Sequence, residues 1–97
     1  MRHEIVLAPE AVQDLKRRKA QVRATVRDAI EAHLRHQPTK TSKSRIKRLR
    51  GVSRLQCRLR VGEQQIFYDV AERTVEVLAI ILKSGADAWL KKEGERP

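Results

Sequence analysis

A run of arginines in the middle of the chain has the spacing of a strand with one charged face. Between residues 54 and 61 the odd positions are apolar and the even positions are Arg54, Gln56, Arg58 and Arg60. Side chains of a strand leave by alternate faces, so one face would be buried and the other lined with guanidinium groups. A guanidinium fork matches pairs of phosphate oxygens, and the expected ligand of this face is a polyanion.

The positive charge of the chain is concentrated around this strand. The 97 residues include 22 Lys or Arg against 12 Asp or Glu, a formal net charge of +10. Between Glu31 and Glu63 there is no acidic residue, whereas ten Lys or Arg occur there. Segregated charge focuses a local field, which favours nucleic acid or an acidic protein as the partner over a merely basic, soluble surface.

Composition excludes several classes of site. A single cysteine allows neither an internal disulfide nor a cysteine-based zinc site, and we expect no metal or cofactor. No apolar run approaches the roughly 20 residues of a membrane span, and no signal peptide precedes the first strand-like segment. We therefore expect a cytoplasmic protein without membrane contact, folded as one domain over residues 1–97.

The first part of the chain predicts one strand and two helices. Residues 3–7 are β-branched and apolar, and Pro9 suits the first turn of a helix. Apolar residues spaced by four define a second helix from about Gln21 to Arg35, with the break between the helices near Ala20. The basic cluster at 16–19 fits either a solvated helix end or part of a nucleic-acid footprint.

The remainder predicts three antiparallel strands and a last helix. After a polar loop at 37–44 come the arginine strand, a strand at 65–70 and a strand at 75–82 that is apolar on both faces in its second half, as in a central strand. Ser84 is a possible N-cap for a helix from Gly85 to Lys92. The fold class is α+β: two N-terminal helices on a small antiparallel sheet, in the order β-α-α-β-β-β, with a short C-terminal helix.

Four segments in this order resemble the RelE/ParE toxin superfamily. They are Lys47–Gly51, Cys57–Gly62, Ile66–Val70 and Val75–Ile80. The resemblance covers essentially the whole chain and implies the toxin of a bacterial type II toxin–antitoxin pair. RelE-like members are ribosome-dependent mRNA endonucleases that inhibit translation, and ParE-like members poison DNA gyrase. In both, a cognate antitoxin, a small acidic protein, wraps over the basic surface.

The resemblance also implies where catalytic groups would lie. RelE-like enzymes use basic residues of the middle strands, and Arg58 matches one such position, with Arg60 beside it. Gln65 and Lys83 stand where the family often has arginines, and Trp89 stands where a tyrosine is common. Because tryptophan has no ionisable group, it cannot act as an acid or base.

RNA cleavage by attack of the 2′-hydroxyl needs a proton acceptor, charge stabilisation of the phosphorane and a donor to the leaving oxygen. Arg58, Arg60 and Lys83 could stabilise the charge. Lys83 could accept the proton only if neighbouring cations lowered its pKa, and a plain solvated strand end is an equal alternative.

Other side chains have simpler expected roles. His33 and His36 suit the end of the second helix, where a cation meets the helix dipole, better than catalysis. Tyr68 and Cys57 share the inward register of their strands and are expected in the core. Trp89 is either a plug of the core, which we favour, or a stacking platform for an unpaired base.

The remaining basic residues of the central segment are expected to hold RNA phosphates, with Trp89 as a further RNA contact. These are Lys40, Lys43, Arg45, Lys47, Arg48, Arg50 and Arg54. Three functions stay open: an mRNA endoribonuclease acting on the ribosome, a gyrase inhibitor without nuclease activity, and an RNA-binding module without catalysis.

Overall fold

A computed structural model describes residues 2–39, 46–48 and 57–94 of the chain. Within this part, no helix is both long and apolar enough to cross a membrane. The elements, in chain order, are β1 (Glu4–Leu7), α1 (Pro9–Lys16), α2 (Ala20–Leu34), β2 (Ile46–Arg48), β3 (Cys57–Val61), β4 (Gln64–Val70), β5 (Thr74–Leu82) and α3 (Lys83–Gly94).

The strands form one sheet in the order β1-β5-β4-β3-β2. The antiparallel pairings of β3 with β4 and of β4 with β5 follow the short connections, as predicted. Strand β2, which was not predicted, pairs antiparallel with β3. Strand β1 instead pairs in parallel with β5, with Glu4 opposite Thr74, so the sheet is mixed rather than purely antiparallel. The two helices carry the chain from β1 at one edge of the sheet to β2 at the other edge, and the three antiparallel pairings that follow leave β5 parallel to β1. The α+β class and the order of elements are confirmed.

Helices α1 and α2 cover one face of the sheet. Their buried residues Ala11, Leu15, Val26, Ile30 and Leu34 pack in one cluster with apolar residues of β3, β4 and β5. The four-residue spacing in α2 places Val26, Ile30 and Leu34 on one side of that helix, where burial of aliphatic surface stabilises the fold.

Helix α3 packs on the other face of the sheet. Strand β5 runs into it directly, so the predicted N-cap at Ser84 is wrong: the helix already begins at Lys83. The backbone N–H of Lys83 donates to the carbonyl oxygen of Glu63 at 2.8 Å, which ties the start of α3 to the turn between β3 and β4. Phe67 and Ala86 are buried between this helix and the sheet. Strand β5 is therefore central and covered on both faces, as its sequence predicted.

Two side chains, Asp14 on α1 and Arg18 in the turn that follows α1, complete the edge of β5 where β1 has ended. Asp14, which is buried, accepts a hydrogen bond from the backbone N–H of Ile80 at 2.9 Å. Arg18 donates to the carbonyl oxygen of Ile80 and to Oε1 of Gln64, each at 2.9 Å. Asp14 and Arg18 together present an acceptor and a donor to one strand residue, in place of a neighbouring strand.

A two-residue turn at Gly62 and Glu63 joins β3 to β4. Gly62 has a φ of +57°, in the left-handed region that glycine adopts without strain. The residues that flank the turn, Val61 and Gln64, pair directly, so the turn fixes the register of β3 against β4.

Candidate nucleic-acid interface

The alternation predicted for the arginine strand is present in β3. Cys57 and Leu59 are buried in the core beneath the helices, whereas Arg58 is half-buried and Arg60 is exposed. Arg58 pairs across the sheet with Phe67, and Arg60 pairs with Gln65. Directly paired residues share a face, so both arginines lie on the face that also carries α3.

Arg58 has an unsatisfied donor within the described part of the chain. Its Nε atom is buried and has no hydrogen-bond partner there. A buried donor left unpaired is costly to the folded state. An anionic oxygen reaching Nε would gain a charge-assisted hydrogen bond, which is the chemistry of phosphate binding.

Arg60 and Lys83 lie at the same end of the sheet. Arg60, Gln65 and Ile81 are aligned across β3, β4 and β5, and Lys83 follows two residues after Ile81. Arg60 and Ile81 are two strand spacings apart, which corresponds to roughly 10 Å between their Cα atoms. Long side chains at such a separation can reach the same phosphodiester. Both Arg60 and Lys83 are exposed.

Trp89 lies on Phe67 and extends the core of the second face. The two ring centroids are 4.7 Å apart with an interplanar angle of 21°. The indole Nε1 donates to Oε1 of Glu10 on α1 at 3.3 Å. The structure thus places Trp89 as the favoured plug, half-buried against Phe67, which is the cross-strand partner of Arg58.

Tyr68 is part of the core, as predicted. It is fully buried, and its hydroxyl donates to the carbonyl oxygen of Pro38 at 2.5 Å. Burial raises the pKa of the phenol well above its usual value, and the neighbouring Cys57 raises it further. A phenol held neutral in the core does not exchange protons with a substrate on the opposite face.

The histidines lie away from the arginine face. His33 is in the last turn of α2, and His36 follows the helix end. That end is tied to β1, because the backbone N–H of His3 donates to the carbonyl oxygen of Arg35 at 2.6 Å. The expected position at a helix terminus is confirmed.

The other predicted RNA contacts are only partly within the described residues. Lys47 and Arg48 belong to β2, where Lys47 pairs with Arg58 and Arg48 pairs with Cys57. Five predicted contacts lie outside the described residues: Lys40, Lys43, Arg45, Arg50 and Arg54.

Sequence reasoning missed a second basic surface on the helical side. An open groove of about 740 Å³ lies between β1, α1 and α2, with Lys16, Arg23, Arg27 and Arg35 along it. The signal was present in the sequence, since Arg23, Arg27, Glu31 and Arg35 recur every four residues along α2. The apolar stripe of the same helix predicts the helix itself, and the charged stripe beside it indicates a basic surface.

No protein-family model matches the chain, and no curated protein matches it. Solved structures do match. A chain of the RelB-RelE antitoxin-toxin complex from Methanococcus jannaschii has a TM-score of 0.65 at 23% identity, covering 87% of this chain and 96% of that one. A chain of the archaeal RelE-RelB complex from Pyrococcus horikoshii OT3 has a TM-score of 0.64 at 19% identity, covering 86% and 97%.

A third match is to a mutant of the E. coli toxin RelE in the free state. Its TM-score is 0.71 at 15% identity, and the match covers 97% of this chain and 95% of that one. At these identities the likeness establishes the fold: this chain has the fold of the RelE toxins.

Proposed function

We propose that this chain, as one domain over residues 1–97, is the toxin of a type II toxin–antitoxin pair. It cleaves mRNA on the ribosome in the cytoplasm, and a small acidic antitoxin holds it inactive. The observation that carries the proposal is the shared face of Arg58 and Arg60, with the buried Nε of Arg58 unpaired in the described residues. The fold shared with RelE toxins supports the same proposal.

The proposed chemistry assigns charge stabilisation to the arginines. The 2′-oxygen bonds to the adjacent phosphorus while the bond from phosphorus to the 5′-oxygen breaks, and the 5′-oxygen takes a proton from water. Negative charge grows on the non-bridging oxygens during this step, and Arg58 and Arg60 donate to them. Lys83, at the same end of the sheet, serves as the proton acceptor or as a third cation. The ribosome positions the message in the reactive geometry, which lowers the demand on the toxin's own side chains.

RNA contacts outside this centre would hold the backbone of the message. We assign that role to the basic residues 40–54 and to the accessible part of Trp89, a ring on which a base could stack. Removing one phosphate contact should weaken binding equally for all sequences.

A gyrase inhibitor without nuclease activity is the second candidate. It is favoured by one observation: the chain has a single tyrosine, and that residue is fully buried with its hydroxyl bonded to Pro38. An inhibitor that only binds would need no proton acceptor on the arginine face. A non-catalytic RNA-binding module is a further outcome of the same test.

The test is induced expression in a bacterial host, with growth, the 5′ ends of cellular mRNA and plasmid supercoiling measured together. We expect growth arrest, new mRNA ends within reading frames, and relief by the acidic protein of a neighbouring gene. Arrest with intact message and altered supercoiling would establish the gyrase alternative instead. Tight RNA binding without arrest would establish the non-catalytic module.

The site assignment is tested with the double substitution of Arg58→Ala and Lys83→Ala. Loss of transition-state charge stabilisation is expected to lower cleavage by about a hundredfold or more. The matched control is Arg73→Ala, an exposed cation in the turn between β4 and β5 at the other end of the sheet. Unchanged cleavage in the double variant, or equal loss in the control, would contradict the assignment.

A further inference from the structure

The groove between β1, α1 and α2 has an apolar floor. Ile5, Leu7, Val12, Leu15 and Ile30 line it. Leu15 and Ile30 are buried, whereas the other three are half-buried. The lining residues of α2 run from Arg23 to Arg35, about 18 Å along the helix axis at 1.5 Å per residue. The floor is long enough for several apolar side chains of a bound segment.

The rim of the groove is basic. Lys16 and Arg27 are exposed and have no ion-pair partner among the described residues. Arg23 is held by a hydrogen bond to the carbonyl oxygen of Arg18, which leaves its charge uncompensated. The acidic residue of the rim, Glu31, is engaged by Arg35 through two hydrogen bonds of 2.5 and 2.6 Å. The field over the apolar floor is therefore positive.

The edge strand adds main-chain groups to the groove. The N–H groups of Glu4 and Ala8 donate towards β5, to Arg73 and Val77. Strand alternation therefore points the peptide groups of Ile5 and Leu7 outward from the edge of the sheet, beside the groove that these residues line. Outward peptide groups beside an apolar floor favour a polypeptide over RNA, because a nucleic-acid backbone offers the floor no apolar side chains.

We propose that this groove is the docking site of an acidic, amphipathic segment of a protein partner. The apolar side chains of the segment lie on the floor, and its carboxylates face Lys16, Arg23 and Arg27. The inference uses the proposed function only to identify the partner as the antitoxin. It places the anchoring site of that antitoxin on the face of the sheet opposite the arginines, so that binding and blocking of the RNA face are separable.

The test uses purified protein and two synthetic 16-residue peptides of leucine and glutamate. One peptide has the residues in helical period, the other alternates them, and control peptides carry lysine for glutamate. Amide resonances are followed in titrations, and affinities are measured by fluorescence anisotropy. We expect at least one acidic peptide to shift the resonances of Leu7, Val12 and Ile30, and the lysine peptides to leave them unmoved.

Substitutions in the groove make the test specific. Arg27→Glu should weaken binding by about fivefold, as expected for reversal of one exposed charge. Val12→Asp should weaken it by about tenfold or more, since an unpaired carboxylate would face the apolar side of the segment. Arg73→Glu is the matched charge reversal outside the groove and should leave the affinity unchanged.

Several results would overturn the proposal: no binding of either acidic peptide, shifts confined to Arg58 and Arg60, or single-stranded RNA shifting the groove resonances. Sedimentation of the free protein as a dimer that Arg27→Glu dissociates would assign the groove to a second copy instead. None of these readouts requires toxicity. If the chain arrests growth, the Val12→Asp variant should also arrest growth, but the antitoxin should not relieve that arrest. A wrong assignment of the groove can therefore be distinguished from a wrong assignment of the toxin function.

Discussion

Arg58 illustrates, at the scale of one residue, a conflict between stability and function. Its buried Nε lacks an acceptor within the described residues, so desolvation of that donor lowers the stability of the native state. Replacement by methionine, which is similar in length and apolar, should raise the free energy of unfolding by about 1 kcal/mol. The same change should abolish RNA cleavage.

Urea unfolding and cleavage of a ribosome-bound message measure the two effects of Arg58→Met. Arg60→Met is the matched control, since Arg60 is exposed and its replacement should change stability little. A fall in stability for Arg58→Met would show that its guanidinium contributes to the fold.

Tyr68 gives a prediction for the alkaline range. Its pKa is raised in the folded protein, mainly by burial, so the folded state retains its proton where the unfolded state has lost it. The stability from this group is fully present below the unfolded pKa of about 10 and declines as pH rises above it. Because Tyr68 is the single tyrosine, absorbance of tyrosinate should rise only as the protein unfolds. A smooth titration near pH 10 in the folded protein would contradict the buried position.

At the scale of elements, the contact between α1 and β5 depends on Asp14. Asp14→Leu would leave the buried N–H of Ile80 without an acceptor and should lower the free energy of unfolding by about 1–3 kcal/mol. Asp14→Asn retains a carbonyl oxygen and should cost much less. Chemical denaturation and hydrogen exchange of the Ile80 amide measure the difference. Equal effects of the two substitutions would show that the hydrogen bond contributes little.

Helix α3 gives the arginine face its shape at this scale. Its Trp89 covers Phe67, the residue paired with Arg58, so the guanidinium lies at the border of an apolar cluster rather than on an open sheet. Arg58 itself is half-buried at this position. The exposed Arg60 is the more accessible of the two arginines.

The whole molecule carries positive charge on both faces of its sheet, and the two faces should respond differently to salt. If RNA binds the arginine face, Arg60→Ala should reduce the slope of log affinity against log salt by about one. Arg27→Ala, on the groove side, should leave that slope unchanged. RNA binding measured by anisotropy across a salt series tests both, and an equal reduction by Arg27→Ala would place RNA on the helical side.

Local patterns predicted the elements well, because periodicity reflects which side of an element is buried. The alternation around Arg58, the four-residue spacing of α2 and Pro9 at the start of α1 all gave correct elements. The partner of β1 was not predictable in this way, since a strand's pattern indicates its buried face and not its neighbour. The start of α3 was misplaced because Ser84 resembles a cap, whereas Lys83 continues from β5 and is bonded to Glu63. The groove depends on the spacing of two helices, which neither helix encodes alone.

The pairing of the first strand with the last has a consequence for synthesis of the protein. Glu4 meets Thr74, and Asp14 meets Ile80, which lies 66 positions later in the sequence. While the chain is being translated, β1 has no neighbour in the sheet until β5 has been made, and contacts between distant parts of a chain form slowly. A nascent chain therefore cannot complete its sheet, and a product of interrupted translation would lack the strand that joins both halves of the domain. Completion of the sheet must therefore wait until the residues of β5 have been translated.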